Sequence, residues 1–438
     1  MIATRPHILA IVPGFIPSTM ITVVKPLLNL HRAGRIRARI VLESQAGRDD
    51  IDWAEAIVFC RNTEPRLAPL LAAVRSRGTP LIYDLDDNLF ELPPNCGDTS
   101  RVREASRQAM LEEYLRSAAL VRVYAPPLAR RVAALNPRVA QIFAPVDLAL
   151  VPPSCKTRPP GPVKIVYATS RTQDALCDIF QPALTRIASR YGDRIEIHFW
   201  GCRRPASVAG RNVHCHGLIY QYDRYLRCFS RGGYDIGLAP LPDDAFYRSK
   251  TNNKFREYGA SGIAGIYSNN EVYSHCVEHE VSGLLVANTT EGWYDALERL
   301  IEDGPLRTRI QRQAREYVRE HYAQEKFEQL FLEQLQGVLN VRAGPARALS
   351  PQPAMQAGCA GRAESAGPAM GQTAMPGLFR RFFAQTRRSL GTLQRLGPRR
   401  AWTALGWFAS DRCFSAWLRW QLSDYGASPR HQPQTRRR

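Results

Sequence analysis

Ten cysteines are spread along this 438-residue chain without a single C-x-x-C pair. Such irregular spacing excludes a disulfide-stapled scaffold and the paired-ligand pattern of a structural zinc site, and it fits reduced, cytosolic thiols. No window approaches eighteen unbroken apolar residues, which argues against a transmembrane helix. The opening MIATRPHILAIVPGFIPS is interrupted by Pro13 and Pro17 and lacks a small-residue cleavage site, so it reads as a buried first strand, not a signal peptide. Acid is scarce at the other end. From Gly377 onward there are thirteen Arg, two Asp and no Lys, which accounts for more than half of the net charge of +19. A basic tail of this kind suits nucleic acid, anionic lipid or water alone.

The rest of the composition, 45% hydrophobic and 23% charged, is that of a globular protein long enough for two domains. Strand-like runs at His7–Val12, Ala38–Leu42, Ala56–Cys60, Pro80–Tyr83 and Leu120–Tyr124 alternate with helical spacing over Val23–Arg32, Arg66–Arg77 and Arg101–Ser117. Short apolar strands separated by helices imply right-handed crossovers and a parallel sheet covered on both faces. Five prolines between Val151 and Lys164 then mark a linker. A second series follows, with strands at 164–168, 194–201, 236–241, 262–268 and 283–286. Its helices fall over Asp174–Tyr191, Glu291–Glu302 (N-capped by Thr290) and Leu306–Tyr322. The expected fold class is α/β, with two Rossmann-like, doubly wound domains facing a cleft between their strand C-termini. The divisions are a first domain (1–150), the linker (151–163), a second domain (164–340), a spacer (341–376) and a tail (377–438).

The spacer is rich in Ala, Gly, Pro and Gln without periodicity and is expected to be disordered. In the tail, Phe379, Phe382, Phe383, Leu390 and Leu393 share one helical face while Arg381, Arg388 and Arg395 lie opposite, and four tryptophans follow (Trp402, Trp407, Trp417, Trp420). An Arg-rich amphipathic helix followed by tryptophans suits an in-plane anchor on anionic lipid; a solvated tail, or a helix docked on the protein itself, is the alternative.

Residues 243–268, DDAFYRSKTNNKFREYGASGIAGIYS, carry the chemistry. A loop after the strand IGLAPL leads into a short helix over Asn253–Ser261, which Gly262 stops. The N-terminus of that helix points at the cleft, offering unpaired N–H groups and partial positive charge. Lys250 and Lys254 add two full charges there, and Thr251 adds a hydroxyl. Glu257, one turn on, could accept hydrogen bonds from vicinal hydroxyls. Cations for a diphosphate beside a carboxylate for a ribose make a nucleotide-diphosphate site; a solvated i,i+3 salt bridge on a surface helix is the plain alternative.

The pattern Lys250-Thr251, Lys254, Glu257-Tyr258-Gly259-Ala260-Ser261-Gly262, followed by EHEVSGLLVANTTEGWYDALERLIEDGPLRTRIQRQAREYVREHY (278–322), resembles retaining glycosyltransferases of the GT-B fold. The likeness covers about residues 5–335 and is similar to family 4 and to bacterial enzymes of cell-surface polysaccharides. It implies that Glu257, with Thr251 and Tyr258, binds the donor, and that Lys250 and Lys254 flank its diphosphate. Many such enzymes have a second glutamate eight residues before the first. Ser249 stands there instead, with Asp243 or Asp244 as candidate substitutes.

The other wall of the cleft is expected at YATSRTQDALCDIF (167–180), where Thr169, Ser170, Arg171 and Asp174 follow a strand. Backbone N–H groups there can hold phosphate, and Arg171 could stabilise the departing diphosphate. An N-cap turn with an exposed Arg is the alternative. GFIPSTMI (14–21) puts Ser18 and Thr19 at a helix start, where the resemblance implies a loop that reaches the acceptor or the leaving phosphate and an ordinary N-cap is the alternative. The run LIYDLDDNLF (81–90) ends a strand with Asp84, Asp86 and Asp87. These aspartates could hold a metal, serve a phosphatase or close a strand. Asn88 breaks the D-x-D-x-T/V pattern that a phosphatase needs, and the phosphate-binding cations lie in the other domain. The resemblance implies an acceptor-side role for this run, with a structural role as the alternative, and metal-independent transfer without a cofactor is expected. His214-Cys215-His216 and His275, Cys276, His279 lack zinc spacing and read as structural.

These readings converge on a sugar transferred from a nucleotide-diphosphate donor to a glycan or lipid-linked acceptor. The protein positions the reactants and stabilises charge on the leaving group. Two other classes stand beside it. One is a catalytically lapsed scaffold, suggested by Ser249. The other is a nucleic-acid-binding protein using the tail, which contains no recognised binding module.

Overall fold

The computed structural model describes residues 5–93, 102–152, 161–170 and 175–343. Arg171, Asp174, the spacer beyond 343 and the whole basic tail lie outside the described residues. Two sheets organise the chain. The first contains β1 (His7–Val12), β2 (Arg37–Leu42), β3 (Ala56–Cys60), β4 (Leu81–Leu85), β5 (Leu120–Val123) and β6 (Val139–Gln141), in the order β2-β1-β3-β4-β5-β6. The second contains β7 (Val163–Ala168), β8 (Ile195–Trp200), β9 (Val213–His216), β10 (Ile236–Ala239), β11 (Ala264–Ser268) and β12 (Leu284–Val286), in the order β12-β11-β10-β7-β8-β9. All neighbouring strands pair in parallel. In each sheet the strand order reverses beside the first strand of its series, the switch point at which such sheets open a crevice.

The reason for parallel pairing is visible in burial. β3, β4 and β5 are buried at every position, and so are β10 and β11. Strands covered on both faces need helices on both sides, and the helical crossovers supply them. The short edge strands β6 and β9 lack an apolar run, and periodicity alone does not reveal them. The helix expected at Thr290 is capped one residue earlier: the Thr289 hydroxyl accepts from the Gly292 N–H.

Six helices bear on the site. They are α1 (Lys25–Arg32), α2 (Tyr222–Phe229), α3 (Ala245–Arg248), α4 (Asn253–Ser261), α5 (Gly304–His321) and α6 (Gln324–Ala343). The last was not expected, because the helical series was taken to end at Tyr322. α6 packs on α1 of the first lobe, where Asn29 donates to Glu328 at 2.6 Å, and it lays the Phe331 ring 3.8 Å from the Arg122 guanidinium. Its buried Phe327, Phe331 and Leu335 recur every four residues, forming a stripe that faces the first sheet.

Both sheets belong to one compact unit, and the lobes exchange anchors. Phe246 on α3 of the second lobe is buried in the first lobe's core among residues such as Phe59, Tyr83 and Leu89, with Tyr247 packed beside it. Ile21 of the first lobe is buried in the core under the second sheet.

Candidate functional site

α4 is held rigidly from beneath. Phe255, Tyr258 and Ala260 are fully buried, and Gly262 at φ 68° ends the helix in the left-handed conformation glycine favours. Gly259 lets α4 lie against α5. A Cβ there would come within 2.6 Å of Val318 Cγ2 and 2.9 Å of the Ala314 carbonyl oxygen. One expected site residue is lost to this packing. The Tyr258 ring lies in the core and its hydroxyl donates to the Leu238 carbonyl at 2.8 Å, so it is a support and not a donor contact.

Glu257 and Lys254 sit at the open side of α4. Lys254 Nζ lies 2.7 Å from Glu257 Oε2, and the Tyr225 hydroxyl on α2 donates to the same oxygen at 3.2 Å. Glu257 is only 4% exposed, so the pair is not a solvated surface bridge. Burial pushes the Tyr225 hydroxyl well above its ordinary range, with the Glu257 carboxylate acting in the same direction, so it remains a donor. Tyr225 was not singled out from the sequence. On an amphipathic helix it looks like any core aromatic, and only its tertiary contact gives it away. Thr251 is turned locally, donating to Asn253 Oδ1 at 2.9 Å.

Lys250 reaches across the lobes. Its Nζ lies 2.6 Å from Asp87 Oδ1 and 4.1 Å from the centre of the Phe246 ring. Asp87 Oδ2 accepts from Arg61 Nη1 at 3.0 Å, and the same nitrogen donates to Asp86 Oδ1 at 2.6 Å. Two cations and two carboxylates therefore form a neutral cluster in the cleft. Burial alone would raise the Asp87 carboxyl, but Lys250 and Arg61 hold it well below the usual carboxylate range. Arg61, at the end of β3, adopts φ 58° although it is not glycine, a conformation that costs about 1–2 kcal/mol. Asp87 of the acid run and Lys250, which the sequence places in different domains, are in direct contact.

The same run contains a residue of a different kind. Asp84 lies within β4, paired in register with Cys60 and Arg122, and is fully buried. It accepts from the Tyr124 hydroxyl at 2.6 Å and from Thr22 Oγ1 at 3.1 Å, and forms an ion pair with Arg122 at 3.3 Å. Its expected place on the acceptor side is corrected: it belongs to the interior. Thr19 is corrected likewise, being buried with its hydroxyl donating to the Gly14 carbonyl at 2.6 Å, while Ser18 remains half-buried at the helix start.

Thr169 and Ser170 follow β7, the strand next to β10, so their loop leaves the sheet at the same end as the segment leading to α4. Thr169 N–H donates to the Trp200 carbonyl at 3.0 Å. A Cβ on Gly201, at φ 74°, would meet the Thr169 carbonyl oxygen at 2.0 Å, so only glycine lets these two loops pass. Ser170 is exposed.

Both candidate substitutes for the glutamate that Ser249 replaces have local partners. Asp243 is held by Arg248 through two contacts of 2.6 and 2.8 Å, and Asp244 caps α3 by accepting from the Tyr247 N–H at 2.9 Å. Ser249 itself is buried and donates to the Ala245 carbonyl at 2.8 Å.

Away from the cleft, Glu196, His198 and His214 bring metal-capable atoms within 4.8 Å of one another, a cross-strand group that linear spacing conceals. Lys164 Nζ already neutralises Glu196 at 3.0 Å, and His198 stacks on His214 with ring centroids 4.7 Å apart. Burial lowers the His198 imidazole to about 4. We read this group as the packing of an edge strand.

No protein-family profile matches the chain, and no curated protein sequence matches it. Solved structures do. Anabaena HepE, whose crystal structures contain UDP with glucose or UDP-glucose, is 14–15% identical over 76% of this chain and 100% of its own, with a TM-score of 0.56. Sucrose-phosphate synthase from Thermosynechococcus elongatus is 14% identical over 76% of this chain and 100% of its own, with a TM-score of 0.58. A Listeria monocytogenes protein described as a UDP-N-acetylglucosamine 2-epimerase is 10% identical over 77% of this chain and 97% of its own, with a TM-score of 0.52. The fold is therefore GT-B-like, with two parallel six-stranded sheets. Among the described residues no helix is long and apolar enough to cross a membrane.

Proposed function

We propose that the chain is a glycosyltransferase that moves a sugar from a nucleoside-diphosphate donor to a hydroxyl of a glycan or lipid-linked acceptor, with retention at the anomeric carbon. The observation that carries this reading is the collection of Lys250, Lys254 and buried Glu257 along one segment of the second lobe. Glu257 accepts from the ribose hydroxyls, with Tyr225 fixing its carboxylate. Lys254 and Lys250 take the diphosphate and neutralise the charge that grows on it as the sugar departs, the role a divalent cation fills in other sites.

Retention is supported by the state of the acids. Asp84 is sealed in the interior, and Asp86 and Asp87 are both paired with Arg61, so neither is an unpaired general base. The acceptor hydroxyl then loses its proton to the departing phosphate on the same face. Structures of HepE with UDP-glucose, and of sucrose-phosphate synthase in the same fold, support a nucleotide-sugar donor. The Arg-rich tail supports delivery at an anionic membrane surface. The epimerase likeness favours a second reading, in which the nucleotide sugar is isomerised instead of transferred.

A thermal-shift panel of nucleoside diphosphates and their sugars decides between binding and none. At saturating ligand, about a hundredfold above Kd, the stabilisation is about 2.7 kcal/mol. Glu257→Ala loses most of it. Retention of the full shift in that variant would overturn the donor site. Product analysis with the best donor separates a transferred sugar from an epimerised one.

A further inference from the structure

The donor site as proposed has an end without a reader. Glu257 and Lys254 account for ribose and phosphate, and Lys250, four residues before Lys254, marks the far end of the diphosphate, where the sugar begins. Hexose hydroxyls are donors and need acceptors, and a carboxylate is the strongest acceptor a side chain offers. On the second lobe Asp243 faces Arg248 at the surface and Asp244 caps the start of α3, whereas Asp87 is in contact with Lys250. Ser249 is buried and bonded to a backbone carbonyl. The carboxylate that does reach this end comes from the opposite lobe.

We infer that Asp87 reads the hydroxyls of the donor sugar, entering the site across the cleft from the end of β4. This deepens the proposed function and rests on it. Asp87 Oδ1 is paired with Lys250 at 2.6 Å, while Oδ2 is held by Arg61 at 3.0 Å. A diphosphate carries more charge than one carboxylate and draws Lys250 to itself. Oδ1 is then vacated beside the sugar, and Arg61 keeps Asp87 ionised and aimed. The strained backbone of Arg61 at φ 58° fits this task, since it fixes the guanidinium that holds the acid in place. Asp86 does not serve equally, because it is buried against Arg61 and, among the described residues, pairs with no group of the second lobe.

The test compares matched ligands on the full-length chain: UDP with UDP-glucose, and the GDP, ADP and dTDP pairs. Calorimetry gives Kd for each in the wild type, Asp87→Asn and Asp87→Ala. For the pair that binds, both variants lower the affinity for the nucleotide sugar about tenfold relative to its diphosphate, the loss of a charge-assisted hydrogen bond. Affinity for the diphosphate alone is unchanged or improves, since Lys250 no longer has a competing anion. A sugar-to-diphosphate ratio that stays within about twofold of wild type would overturn the inference, because Asp87 would then be a closing latch alone. Wild-type protein that binds none of the pairs would instead overturn the donor site. Deoxy-sugar conjugates keep the test decisive even if a variant folds poorly. In the wild type, removing one particular hydroxyl must cost about tenfold, and if no single hydroxyl matters, no carboxylate reads them.

Discussion

Asp84 and Asp87 stand three residues apart in one run, and their surroundings could hardly differ more. Asp84 is 0% exposed, inside a strand, and shares its charge with Arg122, Tyr124 and Thr22 of its own lobe. The Asp87 side chain is 16% exposed, beyond the strand end, and meets Lys250 of the other lobe. Burial moves their acidities in opposite senses once the partners are counted. For Asp84, desolvation outweighs the pull of Arg122 and the carboxyl is raised; for Asp87, Lys250 and Arg61 outweigh desolvation and it is lowered. An acid inside the wall is structure, and an acid at its rim is available to a ligand.

The largest expected effect tests that division directly. Asp84→Ala strands the Arg122 guanidinium in the interior, where its Nε and Nη1 have no other hydrogen-bond partner among the described residues. Breaking a buried pair in this way costs about 3–5 kcal/mol. Asp87→Ala leaves Arg61 still paired with Asp86 and Lys250 17% exposed, so it costs less, about 1–3 kcal/mol. Urea unfolding of the two variants measures both. Equal losses would erase the distinction between wall and rim.

How far this division was legible beforehand follows from strand physics. The two sheets were readable because runs such as AIVFC and KIVYA alternate with helical spacing, and α4 was readable from Gly262 and the periodicity before it. Asp84 and Asp87 could not be told apart, because a strand covered on both faces has no outward side for alternation to reveal. The Asp87–Lys250 contact joins positions 163 residues apart, and no local pattern encodes it. The resemblance implied a donor role for Tyr258 as well as Glu257, yet successive helix positions are about 100° apart, and that turn sends Tyr258 into the core. The stripe of α6 is legible at its four-residue spacing; what the sequence does not show is that its partner lies in the other lobe.

Acid titration sharpens the contrast through sign alone. The folded Asp87 carboxyl lies below its unfolded value, so its contribution is present above about pH 4 and is lost as pH falls further. Asp84 runs the other way: its folded carboxyl lies above the unfolded value, so the native state gains relative stability as pH falls through that higher pKa. Unfolding free energies between about pH 6 and pH 3 should therefore show the wild type losing ground to Asp87→Asn and gaining on Asp84→Asn. Parallel curves would mean that neither carboxyl differs between its folded and unfolded states.

The smallest effects lie where ion pairs join the lobes in the open. Lys25 Nζ bridges Asp147 at 2.6 Å and Asp223 at 3.0 Å with its side chain 17% exposed, whereas Arg130 meets Glu271 at 3.0 Å while 67% exposed. If exposure sorts these pairs as it sorts the two aspartates, Lys25→Met costs about 1 kcal/mol and Arg130→Ala less than about 0.5 kcal/mol. Raising the salt concentration should shrink the second difference first, because water and ions already surround that pair. The order matters more than the size. An Arg130→Ala variant as damaged as Asp84→Ala would show that crossing between lobes, and not removal from water, sets the worth of a charge here, and Asp87 would then have to be counted among the struts of the fold.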